Sequence, residues 1–283
     1  MPQRFRWPRR LGNRGASCLW IQVWITVRKL SDYVPVFAAT DVTGSRPRRP
    51  GLICSRLDRA AQADRAPVVR HGQPVDLPEE VLLRAARDLA MLDLVPLVDS
   101  ALRSGDTTAE RLRRFCETPR PGVRRLRLAV SLADPRAESP WETVLRLFHV
   151  LAGIEVEPQV ELFDAEGTFL ARVDLLVTGT DNVHEYDGAD HRQRDRQRND
   201  LRRERRLAGT PYVRRGFTSE DLVRHPLVML AEIDRALGRR HRPSRVHLWR
   251  RWVSEATLST DGRKRLANRW MRLSGITDWS QTA

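Results

Sequence analysis

Apolar residues recur at helical spacing from about residue 77 to residue 133. An α-helix turns roughly every 3.6 residues, so side chains three or four positions apart share one face. The pattern predicts a helical module, interrupted at Gly105 and at 119–122. The first helix is marked by Val81, Leu82, Ala85 and Leu89, and later ones are predicted at 94–102, 108–116 and 123–132.

A different pattern begins near Glu138. Ser139, Pro140 and Glu142 have the spacing of a helix start, with a serine cap, a proline at the first position and an acid three residues after the cap. Runs with the alternation of strands follow, and the pattern then returns to helix, strand and helix. Strands are predicted at 156–163, 168–177 and 182–187, then a helix at 192–208, a strand at 211–215 and a helix at 219–237. This α-β-β-β-α-β-α order predicts an α/β domain.

The ends of the chain are harder to interpret. The first region is basic and rich in Pro and Gly, and it shows at most two short strands, near 20–28 and 51–56. The last region is basic and carries Trp249, Trp252 and Trp270, with helix predicted over about 244–272. The predicted domains are a poorly defined N-terminal region at 1–76, the helical module at 77–137, the α/β domain at 138–240 and a C-terminal tail at 241–283.

The composition is that of a folded protein, since 41% of the 283 residues are hydrophobic and 30% are charged. The formal net charge of +14 and the pI of about 11.1 favour a polyanionic partner such as nucleic acid. Lys29 and Lys264 are the only lysines, so the excess is almost entirely arginine. A biased genome could produce that excess without selection for binding, and the total charge leaves both explanations open.

Cysteine usage and hydropathy favour a cytoplasmic protein. Cys18, Cys54 and Cys116 are too few and too scattered for a disulfide framework, and no CxxC pair indicates zinc. No apolar run approaches the roughly 20 residues that span a bilayer, so no membrane partner is expected. Basic residues precede an apolar stretch at 16–27, as in a secretory signal, but Gln22 interrupts it and no small-residue cleavage site follows closely.

Charge is unevenly distributed within the predicted α/β domain. Residues 138–190 contain 12 acidic residues and 2 arginines, whereas residues 191–240 contain 14 arginines and 7 acidic residues. A metal-dependent phosphodiesterase needs carboxylates for cations and guanidinium groups for phosphate. A solvated surface with uneven charge would give the same pattern, and charge alone favours that simpler explanation.

Two acids of the predicted hairpin could hold a cation. Side chains alternate along a strand, so Asp174 lies on one face of 168–177 and Glu185 on one face of 182–187. If these strands pair around residues 178–181, the two carboxylates meet at one end of the sheet. They repel each other unless a cation lies between them, and Mg²⁺ suits one or two carboxylates plus phosphate oxygens. Acids on the exposed face of an amphipathic hairpin are the alternative.

Several nearby polar residues also have two explanations. Glu142 either completes the helix cap, worth about 0.5–2 kcal/mol, or faces the sheet edge as a further metal ligand. His191 is either a loop residue or a group that polarises or protonates a leaving oxygen. His184 alternates to the face opposite Glu185, which predicts a core or partner-facing position. The arginines of 192–206 surround their predicted helix, so only a subset could touch DNA.

Five blocks of residues, in this order, resemble a known family. The blocks are Ser139-Pro140-Trp141-Glu142 with Leu145-Arg146; Arg172-Val173-Asp174-Leu175; Glu185-Tyr186-Asp187-Gly188 with His191; Asp200-Leu201-Arg202 with Leu207-Ala208-Gly209; and Tyr212-Val213-Arg214-Arg215. They are similar to an uncharacterised nuclease-like family related to very-short-patch mismatch repair endonucleases, within the PD-(D/E)xK superfamily. The resemblance covers about residues 138–224. Residues 66–133 loosely resemble the helical, partly winged-helix region of abortive-infection type IV antitoxins.

The resemblance implies a restriction-endonuclease-like core, with a mixed central sheet flanked by helices, a divalent metal and a DNA substrate. It implies Asp174, Glu185 and Glu142 as ligands of Mg²⁺, with Mn²⁺ as a substitute. Asp187 and His191 would be accessory residues of the catalytic site. The residues expected to contact DNA are Arg172, Arg194, Arg198 and Arg202.

One departure separates the chain from the superfamily pattern. Asp187 stands where the usual Glu-x-Lys motif has its lysine, and neither lysine of the chain can supply that group. Related subfamilies share the acidic variant, and His191 or a metal-bound hydroxide would then serve the attacking water. The predicted function is a metal-dependent DNA endonuclease, with DNA repair and phage defence as candidate settings. The alternative is a catalytically degenerate DNA-binding regulator or antitoxin-like protein.

Overall fold

The chain forms two compact units that both combine helices and strands. Unit 1 consists of Met1–Ser131 together with Glu255–Ala283, and unit 2 is Leu132–Ser254. The computed structural model describes residues 16–18, 35–40, 48–56, 68–70, 73–188, 206–207 and 209–275. The mixed α/β class is confirmed. Within the described ranges, no helix combines the length and the apolar character needed to cross a membrane.

Short strands open unit 1. The parallel pair of β2 and β3 carries β1 on the antiparallel side of β2, and β4 and β5 form a separate antiparallel pair. The sequence predicted only β3 among them, because Pro, Gly and Arg interrupt the others too often for alternation to be visible. The strand predicted near 20–28 lies outside the described residues. The strands are β1 (Ala16–Cys18), β2 (Val36–Thr40), β3 (Leu52–Arg56), β4 (Val68–Arg70) and β5 (Gln73–Val75).

Four helices of unit 1 follow the predicted module closely. Apolar side chains such as Leu83, Leu94 and Leu126 are completely buried, which is why the helical spacing was visible in the sequence. Thr108 begins the third helix, since its side chain accepts a hydrogen bond from the backbone nitrogen of Arg111 at 3.2 Å. The helices are α1 (Pro78–Asp88), α2 (Met91–Arg103), α3 (Ala109–Phe115) and α4 (Val123–Leu132).

Unit 2 is built on a mixed four-stranded sheet. Its strand order is β6-β7-β8-β9, with antiparallel pairs up to β8 and a parallel pair between β8 and β9. A helix, α5, packs on the sheet through buried residues that include Phe148 and Leu145. The elements are α5 (Pro140–Leu151), β6 (Val156–Phe163), β7 (Phe169–Val177), β8 (Asn182–Tyr186) and β9 (Val213–Phe217).

The connection from β8 to β9 is only partly described. Of the helix predicted at 192–208, residues 206–207 are helical, and the buried Leu207 packs against Leu162, Leu170 and Val183 of the sheet. The last strand begins two residues later than predicted, because Val213 is the residue that pairs with Asn182 at the start of β8.

The single helix predicted at 219–237 is two helices, α6 (Ser219–Val223) and α7 (Pro226–Ala236). Pro226 explains the break. A proline lacks the backbone N–H and disfavours helical geometry in the preceding residue, and His225 accordingly leaves the helix at φ −120° and ψ 36°.

The region predicted as a tail also forms separate helices. A short 3₁₀ helix (Pro243–Val246) leads into α8 (His247–Glu255), and Ser259 then caps α9 (Thr260–Ser274), which belongs to unit 1. The tryptophans are core residues. Trp249 is 1% exposed and meets Phe148 edge-on at 5.2 Å, while Trp270 is 4% exposed and meets Phe37 at 5.6 Å.

Candidate functional site

A row of four residues crosses the sheet of unit 2. Between β6 and β7 the pairs on either side, Pro158 with Leu175 and Val160 with Val173, place Gln159 opposite Asp174. Between β7 and β8 the ladder ends at the pair of Leu175 with His184, so Asp174 and Glu185 are the next residues along the two strands. Glu185 in turn pairs with Gly216 of β9. Residues opposite each other on neighbouring strands share a face, with Cβ atoms about 4.5–5.5 Å apart in antiparallel pairs.

Glu142 reaches this row through Gln159. Its Oε2 accepts hydrogen bonds from the Gln159 amide at 2.9 Å and from the backbone nitrogen of Glu138 at 2.7 Å. Ser139 caps the helix as predicted, accepting from the Glu142 nitrogen at 3.2 Å. The Glu142 carboxylate, however, accepts from the nitrogen of Glu138 and not from that of the cap residue Ser139. Only one of the two hydrogen bonds of the predicted capping box is therefore present. Gln159 has a φ of 57°, a costly conformation for a residue with a side chain.

Asp174 lies where the ladder between β7 and β8 ends. Its Oδ2 accepts a hydrogen bond from the backbone nitrogen of Tyr186 at 2.9 Å. The Tyr186 ring stacks in parallel on Trp141 of α5, with centroids 5.2 Å apart and an interplanar angle of 3°. Asp174 is therefore fixed at the end of β8, beside the first turn of α5.

Glu185 is buried, with 3% of its surface exposed, and it forms an ion pair with Arg214. The guanidinium Nε of Arg214 donates to Oε2 of Glu185, and its Nη2 donates to Oδ1 of Asp187 at 3.0 Å. A buried carboxylate is stable only with such a partner, because removal from water disfavours its charge. Arg214 thus neutralises part of the acidic cluster from the neighbouring strand.

Gly216 makes room for Asp187. A Cβ atom at position 216 would lie 1.6 Å from Oδ2 of Asp187, which is far inside van der Waals contact. Asp187 itself continues the line of β8, since its backbone nitrogen donates to the carbonyl of Phe217 at 2.8 Å. A side chain at 216 would displace the carboxylate that Arg214 holds.

Two of the three predicted metal ligands lie next to each other, and the third is bonded to another residue. The register brings Asp174 and Glu185 onto adjacent positions, whereas Glu142 is bonded to Gln159. Within the part of the chain that the structure describes, no three His, Cys, Asp or Glu side chains form a group that could hold a metal ion. Oxygen donors from two carboxylates still match the chemistry of Mg²⁺, which commonly takes one or two carboxylates and keeps several waters.

The remaining predicted site residues are placed differently. Arg172 lies on β7 and forms a half-exposed ion pair with Glu138, so its guanidinium is already engaged by an acid. His191 and three of the arginines expected to contact DNA lie outside the described residues. Those arginines are Arg194, Arg198 and Arg202.

His184 occupies the core, as its alternation predicted. It is 0% exposed, and its Nδ1 lies 2.8 Å from Nε2 of His149 on α5, whose own Nδ1 lies 2.8 Å from the carbonyl oxygen of Leu145. Burial lowers the pKa of His149 to about 4, and burial followed by repulsion from His149 lowers that of His184 to about 2. Both imidazoles are therefore neutral at physiological pH.

Comparison with known proteins identifies no relative, since no family model, curated protein or solved structure matches the chain. The resemblance drawn from the sequence blocks therefore remains a hypothesis about unit 2.

Sequence reasoning missed three residues that shape the site, namely Gln159, Arg214 and Gly216. Arg214 was part of a recognised block, yet its role depends on a parallel pairing that joins β8 to a strand about thirty residues later. The only available signal for Gly216 was a glycine inside a strand, which often marks a close approach of another group.

Proposed function

We propose that unit 2 is a metal-dependent DNA endonuclease with a restriction-endonuclease-like core. The observation that carries the proposal is the pairing of β7 with β8 up to Leu175 and His184, which brings the neighbouring residues Asp174 and Glu185 to the same end of the ladder. The described elements support it as well, because a helix, three antiparallel strands and a fourth strand parallel to β8 appear in the order that the resemblance implies.

Asp174 and Glu185 would hold the divalent cation, with Mg²⁺ preferred and Mn²⁺ as a substitute. The cation would supply a more acidic water and electrostatic stabilisation of the phosphodiester as it is attacked. The protein contributes rigid positions. The Tyr186 nitrogen fixes the Asp174 carboxylate, and Gln159 holds Glu142 beside the same row, where it can orient a water molecule.

Arg214 would supply the positive charge that the superfamily lysine provides and that Asp187, at the position of that lysine, lacks. The superfamily lysine would follow Glu185 on the same strand, whereas here a guanidinium from β9 reaches Glu185 and Asp187. An arginine fork donates two hydrogen bonds in one plane and therefore matches phosphate as well as carboxylate. Arg214 would keep Glu185 and Asp187 in place beside the cation, while His191 remains the proposed group for proton transfer to the leaving oxygen.

The DNA backbone would be held by arginines on and around unit 2. The proposed contacts are Arg172, Arg194, Arg198 and Arg202. Each phosphate contact releases condensed counterions, so affinity for DNA should fall steeply as salt is raised.

A supercoiled-plasmid assay tests the nuclease directly. With Mg²⁺ or Mn²⁺, the wild-type chain should nick or linearise the plasmid, and Asp174→Asn should lower the rate about a hundredfold or more, because even residues that only support metal ligands cost 10–100-fold. Asp181→Asn is the matched control, since Asp181 is an exposed acid in the turn of the same hairpin. Nicking that survives in Asp174→Asn, with both variants folded by circular dichroism, would remove Asp174 from the site.

A DNA-binding protein without nuclease activity is the second candidate. It is favoured by the ion pairs of Arg214, which already neutralise Glu185 and Asp187 without any cation. Retardation of DNA in a gel, with no cleavage in any metal, would support this candidate. Equal retardation by wild type and Asp174→Asn would then show that the carboxylate row has a structural role only.

A further inference from the structure

Unit 1 contains a pocket of about 620 Å³ whose lining is dominated by arginine. Its volume falls within the range of about 300–1,000 Å³ that is typical of small-molecule sites. The arginines come from three parts of the chain, namely the segment before β3, helix α1 and helix α9. They are Arg48, Arg49, Arg84, Arg87, Arg269 and Arg272.

Two of the pocket arginines, Arg84 and Arg269, are bonded to a buried acid behind the pocket. Asp88, whose side chain is 4% exposed, bonds Arg84 at 2.9 Å and Arg269 at 2.7 Å. The indole nitrogen of Trp270 donates to the same carboxylate at 3.0 Å. Arg84 is itself 6% exposed and lies over the ring of Phe37 at 5.3 Å. These contacts hold the guanidinium groups of Arg84 and Arg269 in fixed positions.

The described part of unit 1 balances the positive charge of the pocket only in part. Asp88 is ion-paired with Arg84 and Arg269, and Glu80, which is itself paired with Arg120, also attracts Arg87. Arg87 donates instead to the carbonyl oxygen of Pro121 at 3.0 Å. Burial, followed by repulsion from Arg84, lowers the pKa of Arg87, so the crowding has an electrostatic cost. Clustered guanidinium groups of this kind favour an anion in the space between them.

One side of the pocket is apolar. The buried Leu52 and Ile53 of β3 line it together with Pro50 and the exposed Leu273. A hydrogen bond from the Gly51 nitrogen to the Ser274 carbonyl, at 3.0 Å, joins the segment before β3 to the end of α9 and so fixes the two walls to each other. An inorganic anion would leave this apolar wall unused, whereas a flat heterocycle would cover it.

We propose that this arginine pocket binds a nucleotide, with its phosphate groups on the guanidinium forks and its base against the apolar wall. Arginine suits both parts, since it binds phosphate through two parallel hydrogen bonds and also stacks on planar rings. The nucleotide is either free in solution or the 5′-phosphorylated end of a nucleic acid strand, since both present the same chemistry.

Titration calorimetry of the full chain tests the proposal. The probes are ATP, AMP, inorganic phosphate, and short single-stranded DNA with and without a 5′-phosphate, all without divalent metal. Saturable binding of a phosphorylated nucleotide is expected, with inorganic phosphate weaker. Tighter binding of ATP identifies a free nucleotide as the ligand, and tighter binding of the 5′-phosphorylated strand identifies a strand end.

Matched variants locate the binding. Arg272→Gln and Arg49→Gln remove exposed pocket arginines, and each should weaken binding about tenfold or more, as expected for a lost charge-assisted hydrogen bond. Arg265→Gln is the control, because Arg265 is exposed on the same helix α9 but does not line the pocket. The proposal fails if no phosphorylated probe saturates, if Arg265→Gln weakens binding equally, or if DNA binds equally without its 5′-phosphate and ATP does not compete. Asp174→Asn should bind normally, so failure of the proposed nuclease would leave this result intact.

Discussion

The carboxylate row of unit 2 and the arginine pocket of unit 1 both concentrate one sign of charge, but they balance it differently. In the row, Asp174 and Glu185 each accept a hydrogen bond from a donor of unit 2, and Glu142 beside the row accepts one from Gln159. Beside the pocket, the described residues place one acid, Asp88, in ion pairs with Arg84 and Arg269, two of the six lining arginines. The acids of unit 2 therefore have donors without any cation, whereas most of the pocket arginines form no ion pair with an acid among the described residues and so favour an external anion.

The largest expected effect comes from removing the internal partner of the row. Arg214→Ala removes the ion-pair partner of the buried Glu185 and should lower the free energy of unfolding by about 3 kcal/mol, near the low end for a broken buried pair because Arg214 is partly exposed. Chemical denaturation measures this loss. If Asp174 and Glu185 hold a cation, millimolar Mg²⁺ should stabilise Arg214→Ala more than the wild type, since binding to the folded state alone raises stability.

Arg215→Ala provides the matched control on the same strand. Arg215 donates to the neutral amide oxygen of Asn182 at 2.6 Å, so its loss should cost only about 0.5–1.5 kcal/mol. Equal losses in the two variants would show that the charge of Glu185 is not what Arg214 compensates. The double variant Arg214→Ala/Glu185→Gln should recover part of the lost stability.

The two units should respond to acid in opposite directions. In unit 2, the folded-state pKa values of His149 and His184, about 4 and about 2, lie below the ordinary 6.5. The unfolded chain therefore takes up protons first, and stability falls below pH 6.5 by about 1.4 kcal/mol per pH unit for each histidine. In unit 1, burial raises the pKa of Asp93 to about 6, although hydrogen bonds from Thr257 partly oppose this shift. The folded state therefore binds the proton before the unfolded chain does, and its stability increases as the pH falls from 6 to 3.8.

Hydrogen exchange resolved by peptide, and corrected for the intrinsic rate at each pH, separates the two responses. Between pH 7 and pH 5, protection of β8 should fall while protection of α2, which contains Asp93, should hold or rise. Asp93→Asn should remove the gain in α2 only. A parallel loss of protection in both units would contradict the opposed titrations.

The smallest effect is expected from the unbalanced arginines. Arg272→Gln removes one exposed charge, and surface substitutions of this kind should leave the free energy of unfolding within about 0.5 kcal/mol of the wild type. Differential scanning calorimetry without nucleotide checks this. A loss as large as that of Arg214→Ala would mean that Arg272 has an acidic partner and that the pocket charge is already balanced.

Local signals in the sequence located much of unit 2. The cap at Ser139 and the apolar stripe of α5 depend on neighbouring residues, and the alternation of β6 to β8 placed Asp174 and Glu185 without knowledge of the fold. Pro226 was a local signal too, and a helix predicted across it was wrong because the proline ends the preceding turn.

Other features depend on contacts between distant residues and leave no periodic trace. Arg214 meets Glu185 only because β9 pairs in parallel with β8. The tryptophans of the basic C-terminal region gave the impression of a separate tail, yet Trp249 packs on α5 and Trp270 packs on β2. Their burial could not be inferred from composition, since a tryptophan among arginines suits a core and a binding surface equally well.

The order of the chain makes unit 2 an insertion within unit 1. The polypeptide leaves unit 1 after Ser131 and returns at Glu255 with α9. Two of the six pocket arginines, Arg269 and Arg272, are thus synthesised after every residue of unit 2 has left the peptidyl transferase centre. Termination of translation before α9 would release a chain with all the residues of the carboxylate row but an incomplete arginine pocket, and so would separate the two sites.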